Sequence, residues 1–155
     1  MKKICVLVAL MLLTMGVLAG CGTEKEGADK HLTAALYWFG ESVDPAHEWD
    51  GWTVTRIGAG ETLVTVSDKM EFMPQLADKW ESVNPTTWRF HIRENVKFQD
   101  GTAMTPELVK ASLERTLKES PRSQKSSKIK EIKVDGQNLI IETTESYGAL
   151  IAALT

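Results

Sequence analysis

The chain has 155 residues, 43% of them hydrophobic and 25% charged, which is a globular composition rather than a disordered one. Its formal net charge is −3; without residues 1–20, the 16 remaining Lys and Arg face 21 Asp and Glu, leaving −5. A chain with this acidic balance lacks the basic surface that nucleic acid requires.

Lys2 and Lys3 form a positive opening, Ile4 to Val17 is uncharged and apolar, and Leu18-Ala19-Gly20-Cys21 follows at once. That order is the build of a secretory leader. The apolar run is short for a membrane-spanning helix, which needs about 20 residues. The tetrapeptide resembles the lipobox of bacterial lipoproteins, and the resemblance implies cleavage before Cys21 and a lipid on its sulfur. Burying acyl chains is worth about 0.8 kcal/mol per methylene, so several chains anchor a protein stably where one is marginal. Cys5 leaves with the leader on this reading, so no thiol is left in these residues for a disulfide or a Cys-ligated zinc. The expected organisation is a signal peptide over 1–20, a flexible tether over 21–30 and a folded domain over 31–155, located in the cell envelope outside the cytoplasm.

Leu32, Ala34, Leu36 and Trp38 alternate with Thr33, Ala35 and Tyr37, the period of a first strand. Gly40 to Asp50 is a loop rich in turn-forming and acidic residues. Gly58-Ala59-Gly60 has the look of a phosphate loop, but no G-K-[ST] follows, and Leu63 stands where a third fingerprint glycine belongs. Val64 to Met73 is expected to supply short strands.

A hairpin comes next. Trp88, Phe90 and Ile92 alternate with Arg89, His91 and Arg93, one face buried and the other wet, and Leu76 to Val83 is the partner strand. Asn84 and Pro85 break the pair, because proline has no N–H for a ladder and asparagine accepts turn geometry. After Phe98, Asp100-Gly101 is a turn signal. Thr105 is placed to cap a helix, Pro106 to occupy its first turn, and Glu107 to meet the positive end of its dipole. Val109, Ser112, Leu113, Thr116 and Leu117 form the predicted buried stripe, with Lys110, Glu114, Arg115 and Lys118 outward. Ser120 to Lys130 reads as a basic, polar connection, Pro121 ending the helix. Ile129, Ile132 and Val134 then pair with Leu139 and Ile141 across Asp135-Gly136. Tyr147 to Thr155 begins an apolar helical pattern inside which the sequence ends.

Several of these blocks, taken together at their spacing, resemble the extracellular solute-binding proteins of family 5, the binding components of peptide and nickel ABC importers. The blocks are Ala77 and Trp80; Trp88, Phe90, Ile92 and Arg93; Val96, Lys97, Phe98, Asp100 and Gly101; Thr105, Glu107 and Leu108; and Ser112 with Arg115. A weaker likeness extends over Leu32 to Thr155. The resemblance implies an α/β fold of the type II periplasmic-binding-protein kind, with two lobes that close on a ligand, and only the first part of lobe I in these residues. It also implies that Ser42, Asp44 and Pro45 belong to a loop beside the cleft, followed by a helix and then by Glu61, Thr62, Leu63 and Val64.

Ligand contacts are therefore expected from Tyr37, Glu48, Trp49, Trp52 and Arg56. Tryptophan offers a broad rigid wall, and arginine grips a carboxylate with two parallel bonds. Of the three histidines, His31, His47 and His91, only His47 lies in this loop, as the candidate contact to a nickel chelate. The implied function is capture of an oligopeptide or dipeptide outside the membrane and delivery to an ABC permease and its ATPase. Nickel or a nickel chelate is the alternative ligand, and no cofactor is called for. A lipid-anchored hydrolase is the competing class, without G-x-S-x-G or H-E-x-x-H in its favour, and a receptor for sensing is a third.

Overall fold

A computed structural model describes residues 32–37, 42–47 and 49–155. The leader, Cys21, the tether, His31, Trp38 and Glu48 lie outside the described residues. No strand forms over 32–37, where every residue is exposed. The alternation there is real, but a strand exists only where its N–H and C=O groups find a ladder, and these find none among the described residues.

The first element is a short helix, α1, Asp50–Arg56. Its end explains the glycines. Gly58 takes φ 73°, its N–H reaches Thr55 O at 3.0 Å, and Ala59 N–H reaches Val54 O at 3.1 Å. That pair of bonds is the Schellman closure of a helix, so Gly58-Ala59-Gly60 is a cap and not a phosphate loop.

Next comes an antiparallel ribbon, β1, Val64–Val66, with β2, Phe72–Pro74. It fulfils the expectation of short strands. Leu76 and Ala77 N–H donate to Thr62 and Leu63 carbonyls at 3.1 and 2.9 Å, joining this region to the main sheet.

The main sheet has four antiparallel strands: β3, Ala77–Asn84; β4, Thr87–Ile92; β5, Ile129–Asp135; and β6, Asn138–Thr143, in the order β3-β4-β6-β5. Register puts Trp80 beside Phe90, Phe90 beside Leu139, and Ile132 beside Ile141. All the large apolar side chains of these pairs therefore share one face. On the other face Arg89 meets Glu81 at 2.6 Å, His91 meets Asp78 at 2.7 Å, and Lys133 bonds Glu142 at 3.1 Å. Both hairpins sit where the turn residues place them; Gly136, φ 57°, opens the loop between β5 and β6 at a position that favours glycine.

Helix α2, Pro106–Glu119, covers the apolar face. Thr105 caps it by accepting from Leu108 N–H, and Pro106 is in the first turn, as its sequence predicts. Val109 is buried, with Leu113 and Leu117 packed against the core, but Ser112 is exposed and drops out of the predicted stripe. Pro106, in the first turn, is buried instead.

The basic connection is a second correction. Ser120 Oγ accepts from Ser123 N–H at 3.2 Å, and Pro121 begins a further helix, α3, Pro121–Ser127. Proline stops one helix and suits the first turn of the next, where its missing N–H costs nothing. The final apolar run folds as a single turn, α4, Leu150–Ala153, shorter than its pattern suggests. Leu150 and Leu154 dock into the core cluster around Phe90, Ile92, Leu139 and Ile141. No helix among the described residues is long and apolar enough to cross a membrane.

Candidate functional site

The loop that leads into α1 is built from its own polar groups. Ser42 Oγ accepts from Asp44 N–H at 3.0 Å, and Asp44 Oδ1 accepts from Ala46 N–H at 3.0 Å. Asp50, 1% exposed, accepts from Ser42 N–H at 3.0 Å and faces His47 Nδ1 at 3.1 Å. The carboxylate of the first helical turn thereby closes the loop back to its start. Burial pushes the Asp50 carboxyl up, but its bonds with His47 and Ser42 outweigh this and leave it below the ordinary value.

Asp44 reaches further. Arg115, on α2, donates from Nη1 to Oδ1 at 3.0 Å and from Nη2 to Oδ2, a two-pronged grip. The bond to Arg115 is the main reason that Asp44 is held below the usual carboxylate value, and Arg115 is raised in turn. Glu119, one turn along the helix, also meets Arg115 Nη2 at 2.9 Å.

On this base stand two indoles. Trp49 and Trp52 have ring centroids 4.9 Å apart at 57°. The Arg56 guanidinium lies 5.6 Å over the Trp52 ring, and that of Arg122, from α3, lies 4.1 Å over Trp49. Trp49 is 42% and Trp52 52% exposed, so this row of two cations and two indoles presents an open surface. Its chemistry suits a small ligand with a negative group and an apolar part.

Of the residues predicted from sequence, Trp49, Trp52 and Arg56 come together here. Tyr37 is fully exposed and takes no part in the ring contacts among the described residues, Glu48 lies outside them, and His47 serves the loop through Asp50. Among the described residues no three His, Cys, Asp or Glu converge as a metal cluster. Two contributors read differently in the sequence. Arg122 could reach an anionic ligand but sits in a stretch whose basic composition favours solvated surface, and Arg115 belongs to a family block yet reads as an outward helix residue; only the fold brings them to the loop.

The sequence profile described as bacterial extracellular solute-binding proteins, family 5 Middle, matches residues 71–155. The nickel-binding protein NikA of Staphylococcus aureus is 34% identical over 138 residues, 89% of this chain and 27% of that protein. A probable D,D-dipeptide-binding periplasmic protein of Escherichia coli is 40% identical over 86 residues, 50% of this chain and 16% of its own length. Among solved structures, that of a nickel ABC transporter from Bacillus halodurans superposes with a TM-score of 0.69 at 40% identity, over 73% of this chain and 24% of the other. The chain spans about a quarter or less of the relatives it matches. Its fold is α/β, corresponding to part of a two-lobed periplasmic binding protein.

Proposed function

Since the chain belongs to the bacterial extracellular solute-binding proteins of family 5, we propose that the protein captures a small solute outside the cytoplasmic membrane and passes it to an ABC permease. Lipid on Cys21 would keep it at the membrane surface, where a released ligand meets the transporter. The observation that carries the site is the row Arg56, Trp52, Trp49 and Arg122 on a loop fixed by Asp44 and Asp50. The Arg56 guanidinium offers a grip for a carboxylate, and the indoles supply a rigid apolar wall. A short peptide presents both features through its C-terminus and its side chains. The second reading, a nickel complex with amino-acid ligands, has the same carboxylate chemistry, and the match of a nickel-binding relative over 138 residues supports keeping it beside the first.

Calorimetric titration of the full-length protein with Cys21→Ser separates the two. Di- to pentapeptides and nickel with histidine are the probes. Tight binding of one probe class assigns the ligand, and Trp49→Ala should then weaken it by about tenfold. Unchanged affinity in Trp49→Ala removes the loop from the site, and silence from both probes removes the ligand class.

A further inference from the structure

We propose that Arg115 is a positioning residue for the candidate ligand loop: by holding Asp44 it sets where the Trp49–Trp52 pair stands beside α2 and α3. Its effect on ligand rests on the solute-binding reading above; its effect on the loop does not.

The bonds among Ser42, Asp44, Ala46, His47 and Asp50 fix the shape of the loop but not its place, because all of them lie within it. Placement needs a link to the sheet and helix platform. The Arg122 guanidinium over Trp49 gives one such link and the Gln99–Ala59 bond holds the chain beyond α1, but Arg115 grips the loop itself across 71 residues of sequence, with two donors on two oxygens of one carboxylate. A single-point contact would let the loop swing, whereas two parallel bonds fix its angle as well as its distance. Glu119 restrains the guanidinium from the next turn of the same helix, so Arg115 is aimed before the loop arrives. The platform is firm at this place. Ser120, 4% exposed, ends α2 and caps α3, so Arg115 and the Trp49-stacked Arg122 are carried on adjoining helices joined at a buried residue. Arg115 thus acts on ligand only through Asp44 and the indoles that follow it.

Hydrogen–deuterium exchange and calorimetry on the full-length protein with Cys21→Ser test this together. Arg115→Gln should raise amide exchange over 42–50 about threefold to fivefold, as for loss of a well-made exposed ion pair, and leave β3–β6 unchanged. The near-UV circular dichroism of the tryptophans should weaken in parallel. Affinity for whichever probe the parent protein takes, peptide or nickel with histidine, should fall by a similar factor. Arg115→Lys keeps the charge but not the fork, and should recover only part of the loss. Asp44→Asn should reproduce Arg115→Gln, and the double variant should add nothing to either. Unchanged exchange over 42–50, or two single effects that simply add, overturns the proposal; so does exchange that rises equally in the sheet. If the parent protein binds neither probe while the loop behaves as stated, the solute reading fails and the positioning role stands.

Discussion

Replacing Phe90 by Ala is the sharpest test of how the sheet is built. Phe90 is fully buried, flanked in register by Trp80 and Leu139 and with the Trp88 ring 6.4 Å away. Three of its neighbours are thus bulky side chains held by the sheet ladder, which cannot collapse into the space left behind. Removing a buried phenyl ring in such a setting costs about 3–5 kcal/mol. At about 2–4 °C per kcal/mol for a domain of this size, the melting temperature should fall on the order of 10 °C. His91→Ala, one residue along, should cost about 0–1 kcal/mol, because that half-exposed side chain pairs with Asp78 on the wet face. Urea unfolding followed by tryptophan fluorescence and by far-UV circular dichroism measures both. A register displaced by one residue exchanges the two faces, so a His91→Ala cost equal to or above that of Phe90→Ala refutes the pairing.

Other perturbations probe the joints. Gly58→Ala places a Cβ in open space but at φ 73°, so it should cost about 1 kcal/mol through the backbone alone and speed exchange of the α1 amides. Thr105→Ala and Ser120→Ala each remove a helix cap and should each cost about 1 kcal/mol in urea unfolding, with Ser120→Ala loosening α3 more than α2. Asp44 predicts a pH dependence. Its folded value is depressed by Arg115, so its contribution is fully present above the unfolded value, about 3.9, and is lost as pH falls through the lower folded value. Carboxyl NMR titration should place the Asp44 transition below that of an exposed aspartate, and Arg115→Gln should move it upward; an unmoved transition removes the pair.

How much of this was legible in the sequence follows from the range of each interaction. Trp88, Phe90 and Ile92 announce a half-buried strand because alternation is a local property, and Asp135-Gly136 announces its hairpin for the same reason. Thr105-Pro106 carries its own cap. Ser120-Pro121 carries the same signal, yet the Lys and Ser around it read as loop, since composition masks a cap when no apolar stripe follows. No strand forms over 32–37 for the opposite reason: the pattern is local but a ladder is not. Asp44 and Arg115 were each visible as parts of separate motifs. Their bond was not, because nothing within 71 residues of sequence says which outward arginine a loop carboxylate meets.

The division between platform and loop bears on how one family serves different ligands. The family profile covers 71–155, which is the ribbon's second strand, the four-stranded sheet and the helices over it. Relatives named for nickel and for a D,D-dipeptide both match this chain. That is physically reasonable: the core is an apolar face closed by α2, whereas Trp49, Trp52 and Arg56 expose two indoles and one guanidinium group. A core substitution such as Phe90→Ala should therefore change stability and leave the ligand preference of the surviving folded protein intact. A loop substitution should do the reverse. Arg115 and Arg122 both sit on the platform and meet the loop; changing Arg115 should alter affinity at little cost to the sheet, and that combination distinguishes a positioning residue from a packing one.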